Sequence, residues 1–174
     1  MGLVFFGSIA RAVAPLAQAL GMRVLVWAPT KDAGTLAAAG CEKAETLDEL
    51  LAASDVVSLH CPLIPQTRTL IGAHELGVMK PTAFLVNTAR GPVIDEDALA
   101  DALDVGTIRA AALDVLADEG PLRNQRLIHH PRCVVTPHAA YVSREANEAL
   151  IRMGLDATIE LLIEGREPTN LVRA

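Results

Sequence analysis

Aromatic side chains are scarce in this chain, with three Phe, one Trp and one Tyr among 174 residues. Any core must therefore be built from Ala, Val, Leu and Ile. The apolar fraction of 51% supplies such a core and leaves apolar surface over for a partner. Clustered positive charge is also lacking. Fifteen Lys and Arg against 21 Asp and Glu give a net charge of −6, which argues against a nucleic-acid partner, because phosphate binding needs a basic face. Charge, Gly or Pro breaks every apolar run well before the roughly 20 residues a membrane helix requires, so no membrane association is expected. The apolar start, Met1–Phe6, has neither a basic flank nor a signal-peptidase site. It reads as a strand, and with no address visible the expected location is the cytoplasm. Cys41, Cys61 and Cys133 stand apart without metal-ligand spacing. Such a scattered, odd set suits buried structural thiols in a reducing compartment, and no metal is expected.

What is present alternates. Short β-branched runs predict strands at Leu3–Phe6, Arg23–Trp27, near Glu42, and at Asp55–Leu59, Ala83–Val86, Ile108–Leu113 and Cys133–Thr136. Between them, amphipathic stretches predict helices at Ser8–Leu20, Thr35–Ala39, Thr46–Ser54, around His74–Val78, and at Glu96–Leu103. A long closing helix from Ser143 to Glu164 ends at Gly165. Pro15 removes a backbone donor, so a kink is expected there. Thr46 with Glu49 has the form of a capping box, in which each side chain satisfies free amides at a helix start. Apolar strands alternating with helices imply an α/β fold, a doubly wound parallel sheet covered on both faces. The length fits one domain spanning residues 1–174.

Ligands of such sheets lie beyond the carboxyl ends of the strands. The first strand-to-helix turn reads Phe5-Phe6-Gly7-Ser8-Ile9-Ala10. A dinucleotide fingerprint would place glycine at Phe5, Gly7 and Ala10. Only Gly7 is glycine, at the position that lets backbone approach a pyrophosphate. Ala10 is a mild change at the helix–strand contact, whereas Phe5 puts a side chain in the tight turn. An acidic residue ending the second strand would hold ribose hydroxyls, but Ala28 stands there. Thr30 or Lys31 would be available to a 2′-phosphate instead.

Three later strand ends carry polar residues where apolar runs stop. They are Val86-Asn87-Thr88-Ala89-Arg90-Gly91-Pro92, Ala112-Leu113-Asp114 running on to Asp118-Glu119, and Val134-Val135-Thr136-Pro137-His138. In a parallel sheet all three open on one edge, which would bring Arg90, Asp114, Glu119 and His138 together. Singly, each has a plain reading as a surface charge or a turn residue.

The same segments carry a resemblance. Met79-Lys80-Pro81-Thr82-Ala83-Phe84-Leu85-Val86-Asn87-Thr88-Ala89-Arg90-Gly91-Pro92-Val93-Ile94-Asp95 is similar to the signature of the D-isomer-specific 2-hydroxyacid dehydrogenases. The blocks Asp55–Leu63, Ala111–Val115 and Thr136-Pro137-His138 resemble others of that family, from about residue 2 to residue 172. The resemblance implies a Rossmann-like NAD(P)-binding domain and hydride transfer between nicotinamide and the 2-carbon of a small 2-oxo or 2-hydroxy acid. The cofactor would be NAD, with NADP possible.

It also implies roles. Arg90 would bind the substrate carboxylate and carbonyl, for which a planar guanidinium is suited. His138 would act as general acid in reduction and base in oxidation, as an imidazole can near neutral pH, with Glu119 orienting it. Asp114 would hold the carboxamide, and Thr88, Ala89 and Ala140 would line the nicotinamide site. Gly7, Ser8 and Ile9 would meet the pyrophosphate. Ala28, Pro62 and Thr67 would flank the adenosine side. Family members carry a second, substrate-facing domain built largely from residues before the first strand, and this sequence starts on that strand. Cleft closure excludes water and positions substrate, so the chain as it stands is expected to be weakly active or inactive. Family members also dimerise through this domain, and a homodimer is expected. Two other readings stay open: a non-catalytic dinucleotide-binding or dimerisation module, and a domain for another nucleotide-like ligand such as S-adenosylmethionine.

Overall fold

The computed structural model describes residues 1–120 and 125–170. The last two residues of the family resemblance, 171 and 172, lie outside the described residues. The chain divides into two compact units, Met1–His138 and the residues from Ala139 on.

The first unit is a seven-stranded sheet. Its strands are β1 (Gly2–Val4), β2 (Leu25–Trp27), β3 (Glu42–Lys43), β4 (Val56–Leu59), β5 (Phe84–Asn87), β6 (Ala110–Leu113) and β7 (Cys133–Val135). They lie in the order β3-β2-β1-β4-β5-β6-β7, and every pairing is parallel. The helices are α1 (Ser8–Ala19), α2 (Ala33–Ala38), α3 (Leu47–Ala53), α4 (Ala73–Val78), α5 (Glu96–Val105) and α6 (Gln125–Ile128). The short α6 has no counterpart in the sequence pattern, since four residues are too few to show a period.

Successive strand residues point to opposite faces, and both faces are buried. Leu3 and Val26 join Ala10, Ala14, Ala17 and Leu36 in one core cluster beneath α1 and α2. Val4, Val57, Leu59 and Leu85 join Leu50, Leu76, Leu99 and Leu103 in the other. The buried residues of α1 are alanines, Ala10, Ala14 and Ala17, with Val13 packed partly against the same cluster, so the helix rests close on the strands. It continues through Pro15 from Ser8 to Ala19.

Caps set the helix starts. Asp32 accepts the Thr35 amide, Thr46 accepts Glu49, and Asp95 accepts Ala98. The Glu49 carboxylate reaches back to the Glu45 amide rather than to that of Thr46, a near-variant of the expected box. Gly106, at φ 80°, closes α5 in the left-handed region that glycine enters freely. Cys41 and Cys61 are buried, while Cys133 is only partly so. Burial pushes the thiols of Cys61 and Cys133 up to about 11.

The second unit holds α7 (Arg144–Leu162), started by Ser143, whose hydroxyl accepts the Ala146 amide. Among the described residues no helix is long and apolar enough to cross a membrane.

Candidate functional site

The strand order reverses direction between β1 and β4: the chain builds outward through β2 and β3, then returns to the other side of β1. Loops leaving two such neighbours diverge and open a crevice at the carboxyl edge. The loop after β1 is Phe5–Gly7, and the loop after β4 begins His60-Cys61-Pro62.

Gly7 caps α1, and a Cβ built on it would meet nothing within 4 Å. Gly7 and Ser8 are exposed, and Ile9 is 62% exposed. The start of α1 is therefore open, as backbone donors facing an anion require. Phe5 is different. Its φ is 71°, a left-handed conformation that costs an L-residue roughly 1–2 kcal/mol. Its amide still donates to the Trp27 carbonyl at 2.8 Å, and its ring meets Trp27 edge-on with centroids 5.7 Å apart. The tight turn is thus formed, with an aromatic pair at the ends of β1 and β2. Ala28, next on β2, is buried and carries no carboxylate.

On the other side of the crevice, Ile9, His60, Pro62, Thr88, Ala89 and Arg90 line one cavity of about 490 Å³. Thr67 is buried beneath this loop and does not line the cavity. Its hydroxyl donates to the Pro62 carbonyl at 2.6 Å and accepts the Ile64 amide at 2.9 Å. Burial lowers the His60 pKa, and the ring lies 3.0 Å from the Ser58 hydroxyl.

The Arg90 loop is held from beneath by Asn87, which is fully buried. Its side-chain oxygen accepts the Ala89 amide and its nitrogen donates to the Arg90 carbonyl, both at 3.0 Å. The Arg90 guanidinium donates to the Ala89 carbonyl at 2.6 Å. Gly91 lies so close to the β6 loop that a Cβ there would fall 1.9 Å from the Leu116 carbonyl carbon. The Glu96 carboxylate accepts the Ala117 amide, and the Asp114 amide donates to the Asn87 carbonyl at 2.9 Å. These contacts fix the loops after β5 and β6 to one another.

The third part is a cavity of about 400 Å³ lined by Asp114, Leu116, Glu119, Val135, Thr136 and His138 among others. Asp114 is buried and accepts the Thr136 hydroxyl. His138 Nδ1 lies 3.0 Å from the Glu119 carboxylate. Both side chains stay about half exposed, at 43% and 49%, so the pair faces solvent. His138 has φ 52°, a second non-glycine residue in the left-handed region.

Arg90, Glu119 and His138 therefore follow the consecutive strands β5, β6 and β7 and share one edge. They line two cavities, with Arg90 in one and the Glu119–His138 pair in the other. Ala140 belongs to the second unit. Sequence reasoning missed Asn87, His60 and Glu96. Asn87 carried a signal, an Asn two residues ahead of the amide it caps, as Asx turns have. Glu96 carried none, because its partner lies 21 residues away.

A parallel sheet whose order reverses beside a glycine-bearing turn defines a dinucleotide-binding α/β domain. The model of the family described as D-isomer specific 2-hydroxyacid dehydrogenase, NAD binding domain, matches residues 1–140, and the chain belongs to that family. It is 40% identical to a glyoxylate reductase of Aeropyrum pernix, over 99% of this chain and 51% of that one. It is 39% identical to a glycerate dehydrogenase of Methylorubrum extorquens, over 100% of this chain and 52% of that one. A crystal structure of D-lactate dehydrogenase with NAD+ from Lactobacillus jensenii superposes with a TM-score of 0.89 at 32% identity, over 99% of this chain and 55% of that one. The chain spans about half the length of these relatives. NAD is the cofactor its family's domain binds.

Proposed function

We propose that residues 1–174 form the nucleotide-binding half of an oxidoreductase that moves a hydride between nicotinamide and the 2-carbon of a small 2-oxo or 2-hydroxy acid. The observation that carries this reading is the 3.0 Å contact between His138 Nδ1 and the Glu119 carboxylate, at the edge that also bears Arg90. The residues fit the cofactor on two of its three sides. The open space at Gly7 suits a pyrophosphate on Gly7, Ser8 and Ile9, and the cavities holding Thr88, Ala89 and Asp114 suit a nicotinamide ring and carboxamide. Ala140 joins this set by resemblance. The adenosine side, with Ala28, Pro62 and Thr67, departs from the fingerprint.

When bound, the cofactor supplies or accepts the hydride. Arg90 presents two planar N–H donors to a carboxylate and the neighbouring carbonyl, so the substrate's 2-carbon is oriented and its oxygen polarised. His138 delivers the proton to that oxygen from Nε2 in reduction and takes it back in oxidation. Glu119 at Nδ1 fixes which nitrogen faces the substrate and stabilises the imidazolium. The partner molecule is a small 2-oxo or 2-hydroxy acid. The free thiols suit a cytoplasmic setting, and the apolar composition suits a homodimer.

Replacing His138 with Ala should abolish reduction of a 2-oxo acid panel while NADH, followed by its fluorescence, still binds, because the proposed pyrophosphate contacts at Gly7, Ser8 and Ile9 are left in place. Turnover like that of the unaltered chain would reject the role. A second reading, a non-catalytic nucleotide-binding or dimerisation module, is favoured by the left-handed Phe5 and the missing carboxylate at Ala28. It predicts NADH binding with no turnover on any acid, even with the rest of a family member supplied.

A further inference from the structure

We infer that Glu96 is a positioning residue for the proton-carrying pair: by holding the Ala117 amide it fixes where Glu119 meets His138, and so which ring nitrogen bears the proton. The inference rests on the reading of Glu119 and His138 above. The Glu96 carboxylate accepts the Ala117 amide from 21 residues away. Ala117 stands two residues before Glu119. Two residues span at most about 7 Å of chain, so a displacement at Ala117 reaches Glu119 with little slack. On the far side of Glu119, the Asp118 carboxylate accepts the Gly120 amide at 2.9 Å, a local bond of the kind that closes an Asx turn. The turn bearing Glu119 is thus braced within itself, and Glu96 ties it to α5.

A glutamate at a helix start has an ordinary duty, which is to favour the helix dipole. Glu96 is the first residue of α5, but two observations set it apart from that duty. Asp95 already caps the helix by accepting the Ala98 amide at 3.1 Å, and Asp97 lies exposed in the same first turn. Glu96 is instead partly buried and reaches a different loop. Burial raises its pKa from the ordinary value, the Ala117 amide opposes this, and Asp97 and Asp118 raise it further. A dipole role requires no such penalty, since an exposed side chain serves it equally well. The bond to Ala117 does require it.

That bond bears on chemistry through a narrow tolerance. His138 Nδ1 lies 3.0 Å from the Glu119 carboxylate, and a further 0.5 Å or so takes the pair out of hydrogen-bond range. With Glu119 in place, the neutral ring keeps its proton on Nδ1, and Nε2 is left to face the substrate oxygen. With Glu119 displaced, nothing in the pair selects between the two nitrogens.

The test is heteronuclear NMR of the full chain with labelled histidine nitrogens, at a pH where the His138 ring is neutral. The His138 signals are identified by their loss in His138→Ala. In the unaltered chain Nδ1 should bear the proton. In Glu96→Ala the ratio of Nδ1-protonated to Nε2-protonated ring should fall roughly threefold or more, as weakening one hydrogen bond to a charged group implies. Glu96→Gln keeps an oxygen for the Ala117 amide and should restore the ratio. Asp95→Ala removes the α5 cap without touching that amide, and should leave the ratio as it was. An unchanged ratio in Glu96→Ala, no recovery in Glu96→Gln, or an equal fall in Asp95→Ala overturns the inference and leaves the Glu119–His138 reading intact. A ratio in the unaltered chain that matches the one in Glu119→Ala overturns both.

Discussion

Phe5 occupies a backbone position at φ 71°, where glycine is free and an L side chain pays roughly 1–2 kcal/mol. What offsets this is side-chain burial. A half-buried Phe recovers roughly 1 kcal/mol, and its edge contact with Trp27 adds about 0.5–1.5 kcal/mol. Phe5→Gly relieves the backbone but loses both contributions and loosens the unfolded chain. Its midpoint in urea should fall by the equivalent of about 1 kcal/mol while NADH affinity rises, because the dinucleotide turn regains its open form. A variant that is more stable yet binds no better would show that the ring plays no part at the turn. His138, at φ 52°, is another such residue, and Thr69, at φ 48°, is a third among those described. Strain of this kind concentrates where a side chain is aimed for a purpose, and at His138 it accompanies the contact to Glu119. None of these positive φ values was legible in the sequence. A missing glycine showed only that a side chain had entered the turn, not that the turn would keep its shape around it.

Among elements, the loops after β5 and β6 behave as one piece. Gly91 abuts the Leu116 carbonyl, Glu96 grips the Ala117 amide, and Asn87 ties down Ala89 and Arg90. Gly91→Ala must push two backbones apart. It should lower stability by about 3 kcal/mol or more, in the range of severe core overpacking, and disturb Arg90 at the same time. Gly7→Ala offers the contrast, since a Cβ there meets nothing. Its unfolding midpoint should shift by less than about 0.5 kcal/mol, while NADH affinity falls. Two denaturant curves and one titration separate them, and equal stability losses would contradict the geometry. The Asn-Thr-Ala-Arg-Gly block was legible as the end of a strand followed by a polar loop, because apolar residues stop abruptly at polar ones. The bracing between loops was not, because it depends on backbone groups that have no sequence signature.

At the scale of the whole sheet, the alternation of apolar runs with capped helices made parallel order readable, as parallel strands need helical crossovers and two covered faces. Strand edges shifted by a residue or two, as at Ala110–Leu113, where the pattern began at Ile108. Those boundaries are set by pairing partners rather than by the local run. Burying the β4 loop has a consequence for pH. Desolvation lowers the His60 pKa from its ordinary 6.5, so the unfolded chain takes up a proton there before the folded one does. Stability from this group is complete above about pH 6.5 and is lost as pH falls below it. Urea midpoints measured between pH 7.5 and 5, roughly, should therefore fall less steeply in His60→Asn than in the unaltered chain. Identical slopes would mean that His60 is solvated in the fold.

The central claim is that one strand edge receives a dinucleotide with its nicotinamide toward Thr88, Asp114 and His138. Backbone amide shifts of the labelled chain, titrated in parallel with NADH and with ADP-ribose, test this most directly. Both ligands should move Gly7, Ser8 and Ile9, and only NADH should also move Thr88, Asp114 and His138. Matching shift patterns for the two ligands, with those three residues silent, would contradict it.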